Sequence, residues 1–376
     1  MHIAGDVALF VKQYCQITQN ASELREFFPL LEGISDFVVS RVNRTDANGW
    51  LSVENIVEPD ESTGLDDVDN GIWTNSVGVH ALETTLDAAA RLGLSVPARQ
   101  LASWRHAAQR LKLKLEVFGG RLLHKEYDQY TFSSRINDTK NPNHSHDPSQ
   151  PKFLSHPSIG QGDSVLLGFP LQFNASHRVW GGQKDAVRLN DISYYGPRVS
   201  PSGSYMTAGH YVIAWLERPH RDLANASEWF AKGRAKNYAP WRIWAEHDQN
   251  DGGAVNFITG KMMMLSSICL AVRLANPRSI TTAAGGMFLQ SLIFGYGGVR
   301  FTDAGISMDP LLPPGVTAMK LRGLNVAGAE LDVEVDGRGA KFSRRRSGEG
   351  KEEELGAVAV QRARDGVYWL AQDGVQ

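Results

Sequence analysis

Apolar residues in the first third of the chain recur at helical spacing. Val7, Phe10, Val11 and Tyr14 mark a helix over 6–18, and Phe27, Leu30, Leu31, Ile34, Phe37 and Val38 share one face of a second, with Ser22 as its cap. Two more amphipathic runs span 75–94 and 97–115, the second opening on Pro97, where a missing N–H costs nothing. A further antiparallel helix pair is predicted at 205–216 and 224–236. From Gly298 the period shifts toward two. Segments 299–301, 305–308, 318–326, 331–335 and 359–368 are separated by Gly/Asp turns and predict a small β-domain.

The stretch 54–75 breaks the helical pattern. It combines Glu54, Glu58, Asp60, Glu61, Asp66, Asp67 and Asp69 with turn-formers and one large aromatic, Trp73. Pro59 fixes its own backbone and pushes Glu58 toward an extended state, Gly64 permits a tight reversal, and Thr74 or Asn75 is placed to cap the next helix. Either this is a solvated loop whose acids cap helices, or it holds a carboxylate at a cleft. The stretch 118–201, rich in Gly, Pro, Asn and His, is too long for a structureless loop inside a compact domain, so part of it is expected to form an active-site lid. His144, His146 and His156 have Pro, Ser and Asp neighbours that suit a surface tip better than a metal site.

With 376 residues, 42% of them hydrophobic, the chain can bury a large core and carry a second domain. Its 39 basic and 41 acidic residues nearly cancel, which leaves no electrostatic footprint for nucleic acid or an anionic membrane. The basic cluster Arg344, Arg345, Arg346 is offset by Glu349 and Glu352 to Glu354. No apolar run reaches the ~20 residues that span a bilayer. Cys15 and Cys269 form neither a disulfide framework nor a metal-ligand spacing. Asn-x-Ser/Thr occurs at Asn20, Asn43, Asn137, Asn143, Asn174 and Asn225, which points to a secreted or vacuolar glycoprotein. The residues after Met1 lack the basic start and apolar stretch of a signal peptide. Both observations hold if the true amino terminus is missing, and an extracellular or vacuolar location is expected for the full-length parent.

Several spaced segments resemble glycoside hydrolase family 65, which includes acid trehalases, disaccharide phosphorylases and a glucosidase acting on collagen disaccharides. Pro59-Asp60-Glu61, Val68-Asp69-Asn70 and Trp73-Thr74-Asn75 resemble its Pro-Asp-Glu-Tyr and Val-Asn-Asn…Tyr-Thr-Asn signature. Leu123 to Tyr130 resembles its His-Pro-Glu-Phe/Tyr-Asp-Gly-Tyr element. Gln161 and Asp163, ahead of Val165 to Pro170, resemble its Lys-Gln-Ala-Asp-Val-x-Leu-Leu-Gly-Phe-Pro, with Gly160 in place of the lysine. Trp244, Glu246 and Gly253 to Phe257 resemble the Trp-x-Glu…Gly-Ala-Val-Asn-Phe of its hydrolase members.

The resemblance implies a mainly α fold: an incomplete (α/α)6 toroid over 1–297, truncated at its amino end, then a small carboxyl-terminal β-sandwich over 298–376. The first barrel helices and a Trp-Asp pair that grips glucose in the family have no counterpart here. An apolar insert at 261–284 interrupts the family pattern, as a gene-model error or a peripheral helix. By the same resemblance Glu61 is the catalytic acid and Glu246 the base of an inverting hydrolase, with Gln161, Asn70, Trp73 and Trp244 as substrate-binding residues. The like charges of Asp60, Asp66, Asp67 and Asp69 would help raise the pKa of Glu61. Loss of the lysine puts affinity for the nonreducing glucose in doubt, Ser62-Thr63 replaces the Tyr-His that follows the acid, and Gln161 could equally serve as a loop residue bonded to backbone. Trp241 and Trp244 could stack on sugar faces or be core tryptophans.

A disaccharide, α,α-trehalose first, is the expected substrate. Phosphorolysis or a glucosylgalactosyl-type α-glucosidase activity are the alternatives within the family, and a catalytically silent fragment lies outside them. Glu246 favours hydrolysis, because a carboxylate beside a phosphate nucleophile would repel it. No metal or organic cofactor, nucleic acid or membrane partner is implied, and a homodimer is left open.

Overall fold

A computed structural model describes residues 1–60, 67–134, 159–199, 206–235, 237–238, 243–244, 282–344, 358–363 and 365–372. The chain forms two compact units. One comprises Met1–Val53, Thr74–Lys112 and Leu292–Gln376, and the other Glu54–Trp73 and Leu113–Ser291.

The first unit carries helices α1 (His2–Thr18), α2 (Ala21–Ser40), all but the first two residues of α3 (Ile72–Arg91), and α4 (Ala98–Arg110). The cap of α2 is Asn20 and not Ser22: its side-chain oxygen accepts from the N–H groups of Ser22 at 2.9 Å and Glu23 at 3.4 Å. The buried stripe of α2 is Leu24, Phe28, Leu31, Ile34, Ser35 and Val38, while Leu30 and Phe37 face outward. This helix has more apolar residues than one face can hold, so counting them chose a stripe displaced around the axis. Two contacts pair polar groups inside the unit. Ser35 donates to Thr85 Oγ1 at 2.8 Å, and the buried indole of Trp104 donates to Asp36 at 2.8 Å.

Helix α3 starts at Ile72, ahead of the expected caps, and Asn75 lies within it, donating from its side chain to the Lys112 carbonyl at 2.9 Å. Helix α4 stops at Arg110, earlier than its apolar pattern predicts, because Leu111 turns extended and Lys112 pairs with the Leu51 carbonyl at 3.0 Å.

The carboxyl-terminal part of this unit forms two antiparallel sheets from β1 (Arg300–Thr302), β2 (Gly305–Met308), β3 (Ala318–Val326), β4 (Ala329–Asp336), β5 (Gly339–Arg344), β6 (Val358–Arg362) and β7 (Tyr368–Gln372). Their orders are β5-β4-β3 and β6-β7-β2-β1. Strand β4 alternates buried Leu331, Val333 and Val335 with exposed Glu330 and Glu334. That apolar face joins Ile306, Met308, Val326 and Leu370 in one core. The segment expected as a single strand over 359–368 is a hairpin, β6 and β7, which turns where Gly366 adopts φ 88°. Ala327 donates to the Ile17 carbonyl at 2.7 Å and Gln16 to Asp303 at 2.9 Å, tying α1 to this region.

The second unit contains a hairpin over Leu115–Phe118 and Arg121–His124, then helices α5 (Lys184–Tyr195), α6 (Met206–Trp215), α7 (Leu223–Ala235) and α8 (Thr282–Gln290). Of the stretch in which a lid is expected, 135–158 and 200–201 lie outside the described residues, and the described parts include the second hairpin strand and helix α5. Helix α5 escaped the apolar pattern because charged Arg188 and Asp191 occupy its buried side. Arg188 donates to Glu217 at 2.8 Å and to the Val165 carbonyl. Asp191 meets the fully buried His124, whose Nδ1 lies 2.6 Å from its Oδ2 and whose Nε2 lies 2.8 Å from the Val179 carbonyl. Both ring nitrogens thus lie against oxygen atoms, and Asp191 also accepts from the His124 backbone N–H at 2.9 Å.

Of the proposed insert, 261–281 lies outside the described residues, as do Cys269 and the three histidines of the expected surface tip. Cys15 is a free thiol. Among the described residues no helix is long and apolar enough to cross a membrane.

Leaving a buried donor without its acceptor costs about 1–3 kcal/mol, more for a charged group. Asp191→Ala is therefore expected to lower the urea midpoint sharply, whereas breaking the exposed Lys232–Glu228 pair leaves it near wild type. Equal midpoints for the two variants would contradict the reading of the His124–Asp191 contact.

Candidate active site

The acid-rich segment ends up inside the second unit, and backbone hydrogen bonds explain how. Ile56 and Val68 exchange N–H···O=C bonds at 2.9 and 2.8 Å, which closes the intervening loop at its base. Asn55 and Asn70 take left-handed backbone angles, φ 56° and 51°, which asparagine tolerates better than most residues. The Asp69 carbonyl accepts from Asp128 N–H at 2.8 Å, and the Glu126 carbonyl accepts from Ile72 N–H at 2.7 Å. Side chains repeat the tie: Gln129 and Asp69 pair twice, and Asn70 donates to Asp128 at 2.8 Å.

Four carboxyl groups converge behind this loop. Glu58, Asp60, Glu126 and Asp163 are all buried, with Asp163 at 1% exposure, and they line a cavity of about 10 Å³ together with Tyr127 and Tyr130. Asp60 Oδ2 accepts from the backbone N–H groups of Gly160 at 2.8 Å and Gln161 at 3.0 Å. Its own N–H donates to Asp163 Oδ2 at 3.1 Å. Glu126 accepts from the N–H of Asp163 at 3.0 Å and from the hydroxyl of Ser164 at 2.8 Å. Glu58 packs so closely against Gly71 that a β-carbon there would overlap its carboxylate, so glycine is what the close approach requires.

Crowding carboxyls away from water favours their protonated forms. Burial, reinforced by the charges of Asp60 and Glu58, pushes Glu126 up to about 8 against the lowering effect of the Ser164 bonds. Burial and the charges of Glu126, Glu58 and Asp60 raise Asp163 well above the carboxylate range. Tyr127, Tyr130, Tyr195 and Tyr211 are raised too, by burial first, so the surrounding phenols keep their protons. A cavity of this size is far below the several hundred Å³ that a sugar pocket needs. Among the described residues, the cluster thus encloses no room for a sugar.

The expected site residues fall into two groups. Glu61, Glu246 and the side chain of Trp244 lie outside the described residues; the Trp244 backbone belongs to a two-residue strand paired with Asn237–Tyr238. Gln161, Asn70 and Trp73 all belong to the second unit. Gln161 is half-buried and donates from its side chain to the Pro59 carbonyl at 3.1 Å. Asn70 is bound to Asp128 as above, and Trp73 is 5% exposed on the first turn of α3. The residues that sequence reasoning missed are Glu58, Glu126 and Asp163 as members of one cluster. The last two stand inside recognised motifs, but nothing local distinguishes a buried acid from a capping one.

Residues 1–253 match the glycosyl hydrolase family 65 central catalytic domain and residues 299–352 its C-terminal domain, so the chain belongs to glycoside hydrolase family 65. Among its relatives, the protein-glucosylgalactosylhydroxylysine glucosidase of Dictyostelium discoideum is 31% identical over 88% of this chain and 38% of its own length. The Danio rerio protein of the same name is 27% identical over 92% of this chain and 43% of its own length. A kojibiose hydrolase of Flavobacterium johnsoniae is 24% identical over 86% and 38%. The chain thus spans less than half the length of these relatives. A solved structure from the human microbiome, assigned provisionally as a kojibiose phosphorylase, shares the fold over 98% of this chain and 46% of its own, with a TM-score of 0.65 at 14% identity. The helix-rich body and small antiparallel sheets agree with that likeness. The expected preference for trehalose finds no support in these relatives, whose names favour the glucosylgalactosyl alternative.

Folded Glu126 holds its proton up to about pH 8, whereas an unfolded glutamate releases it near 4.5. The native state thus binds the extra proton between these values, and the associated stability is fully present below about 4.5 and lost as pH rises through about 8. Asp163 acts in the same direction. Denaturation midpoints should fall over that window, with a shallower fall in Glu126→Gln. A slope identical in both proteins would contradict the assignment.

Proposed function

We propose that this chain carries the catalytic machinery of an α-glucosidase that removes a terminal glucose with inversion, its substrate a glucosylgalactosyl unit or kojibiose in preference to trehalose. The observation that carries the reading is the family match over 1–253, which includes both Glu61 and Glu246, together with relatives named for those substrates. Glu61 protonates the leaving oxygen and Glu246 activates water on the far side of the sugar, a division of labour that needs the two carboxyls ~6.5–9.5 Å apart. Gln161, Asn70, Trp73 and Trp244 surround the glucose in this reading, within a helical toroid of the (α/α)6 type. The buried cluster keeps the Asp60 and Gln161 segments in register while Glu61, next in sequence to Asp60, does the chemistry.

Hydrolysis is preferred to phosphorolysis because a carboxylate in the base role that the family resemblance gives Glu246 would repel a phosphate nucleophile. The test is release of glucose from glucosylgalactosylhydroxylysine, kojibiose and trehalose, each with and without inorganic phosphate. Glucose from the first two without phosphate, reduced about 10²–10⁴-fold in Glu61→Gln and Glu246→Gln, is expected. A sugar phosphate formed only when phosphate is present would establish the phosphorolytic alternative. Silence on every sugar would overturn the catalytic reading and favour a silent fragment.

A further inference from the structure

Four hydrogen bonds stitch the Pro59-Asp60 segment to the loop that begins at Ile159. Two are the backbone N–H groups of Gly160 and Gln161, at 2.8 and 3.0 Å, converging on one oxygen, Asp60 Oδ2. The third runs from Gln161 Nε2 to the Pro59 carbonyl at 3.1 Å, and the fourth from Asp60 N–H to Asp163 Oδ2 at 3.1 Å. Asp60 is 7% exposed, and the segment it grips continues through Gly162 at φ 81° into the short helical turn Asp163–Leu167, which is buried throughout. An oxygen shared by two consecutive N–H groups fixes both the position and the twist of the backbone that bears them. The Pro59 carbonyl takes one hydrogen of the Gln161 amide and so also fixes how that amide is turned. Its second hydrogen and its oxygen make no hydrogen bond among the described residues.

We propose that Asp60 is a positioning residue for sugar binding: its carboxylate sets the backbone of Gly160 and Gln161, and thereby aims the free edge of the Gln161 amide at the glucose. This deepens the glucosidase reading above and rests on it for the identity of the ligand. The bond pattern also accounts for an aspartate at this place. Alanine offers no acceptor, and glutamate would carry its oxygens a methylene farther along.

The experiment compares wild type, Asp60→Ala and Asp60→Asn in the whole chain by amide hydrogen exchange and by steady-state kinetics on kojibiose and glucosylgalactosylhydroxylysine. In Asp60→Ala the amides of Gly160 and Gln161 should lose protection while those of α5 keep theirs. KM should rise about tenfold or more with a smaller change in kcat, the pattern of lost ground-state binding. Asp60→Asn retains an acceptor oxygen and should restore most of both. Unchanged exchange at 160–161 in Asp60→Ala overturns the staple whether or not the enzyme turns over. Loss of protection spreading through α5, or altered exchange with a wild-type KM, overturns the positioning role. A wild type inactive on both sugars refutes the glucosidase reading and, with it, the role assigned to Gln161, while exchange still decides the staple.

Discussion

A carboxyl group taken out of water must gather hydrogen-bond donors or keep its proton. The second unit has to meet that demand four times within one small volume, at Glu58, Asp60, Glu126 and Asp163. It does so in two ways. Asp60 draws on backbone N–H groups from a segment a hundred positions away, which turns a liability of burial into a long-range tether. Glu126 and Asp163 instead favour the protonated form, although Glu126 also accepts bonds from Ser164. The polar loop, the hairpin end and the buried short helix are held together by these carboxyls where most interiors use hydrocarbon. Such an arrangement is weak evidence for stability and better understood as specifying one geometry.

Much of the local architecture was legible in the chain, and its failures have identifiable physical causes. Helices α2 and α3 and strands β3 and β4 were legible as elements from apolar periodicity, although the buried stripe of α2 is displaced from the one its apolar residues suggest. Helix α5 does not, because Arg188 and Asp191 are buried by pairing and so read as a solvated face. Asn20 takes the cap expected of Ser22 because the chain enters α2 two residues earlier. At the site, the motifs located Gln161 and Asp163, but not the convergence of four acids. Proximity across a hundred residues leaves no trace in spacing, and an acid-rich loop has the same composition whether it is solvated or folded inward.

The family match and the geometry divide the functional question between them. Membership of glycoside hydrolase family 65 brings glycosidic chemistry into view, and the relatives are named for glucosylgalactosylhydroxylysine and kojibiose, not for trehalose. The described geometry contributes what a motif cannot: the candidate glucose-binding amide of Gln161 is held by the residues that precede Glu61 in sequence. Reacting groups in an enzyme need a surrounding set of residues that fixes them to within a fraction of an ångström. Around the Gln161 amide, the described residues supply buried carboxyls, phenols and backbone amides.

The most direct test of this cluster is a carbon-13 NMR titration of the side-chain carboxyls of the intact chain. One glutamate signal should titrate near pH 8 and vanish in Glu126→Gln, and the carboxyl of Asp163 should titrate well above the range of exposed aspartates. If every carboxyl titrated at the ordinary values of solvated side chains, the cluster would be open to water and the account of how this region is held together would be wrong.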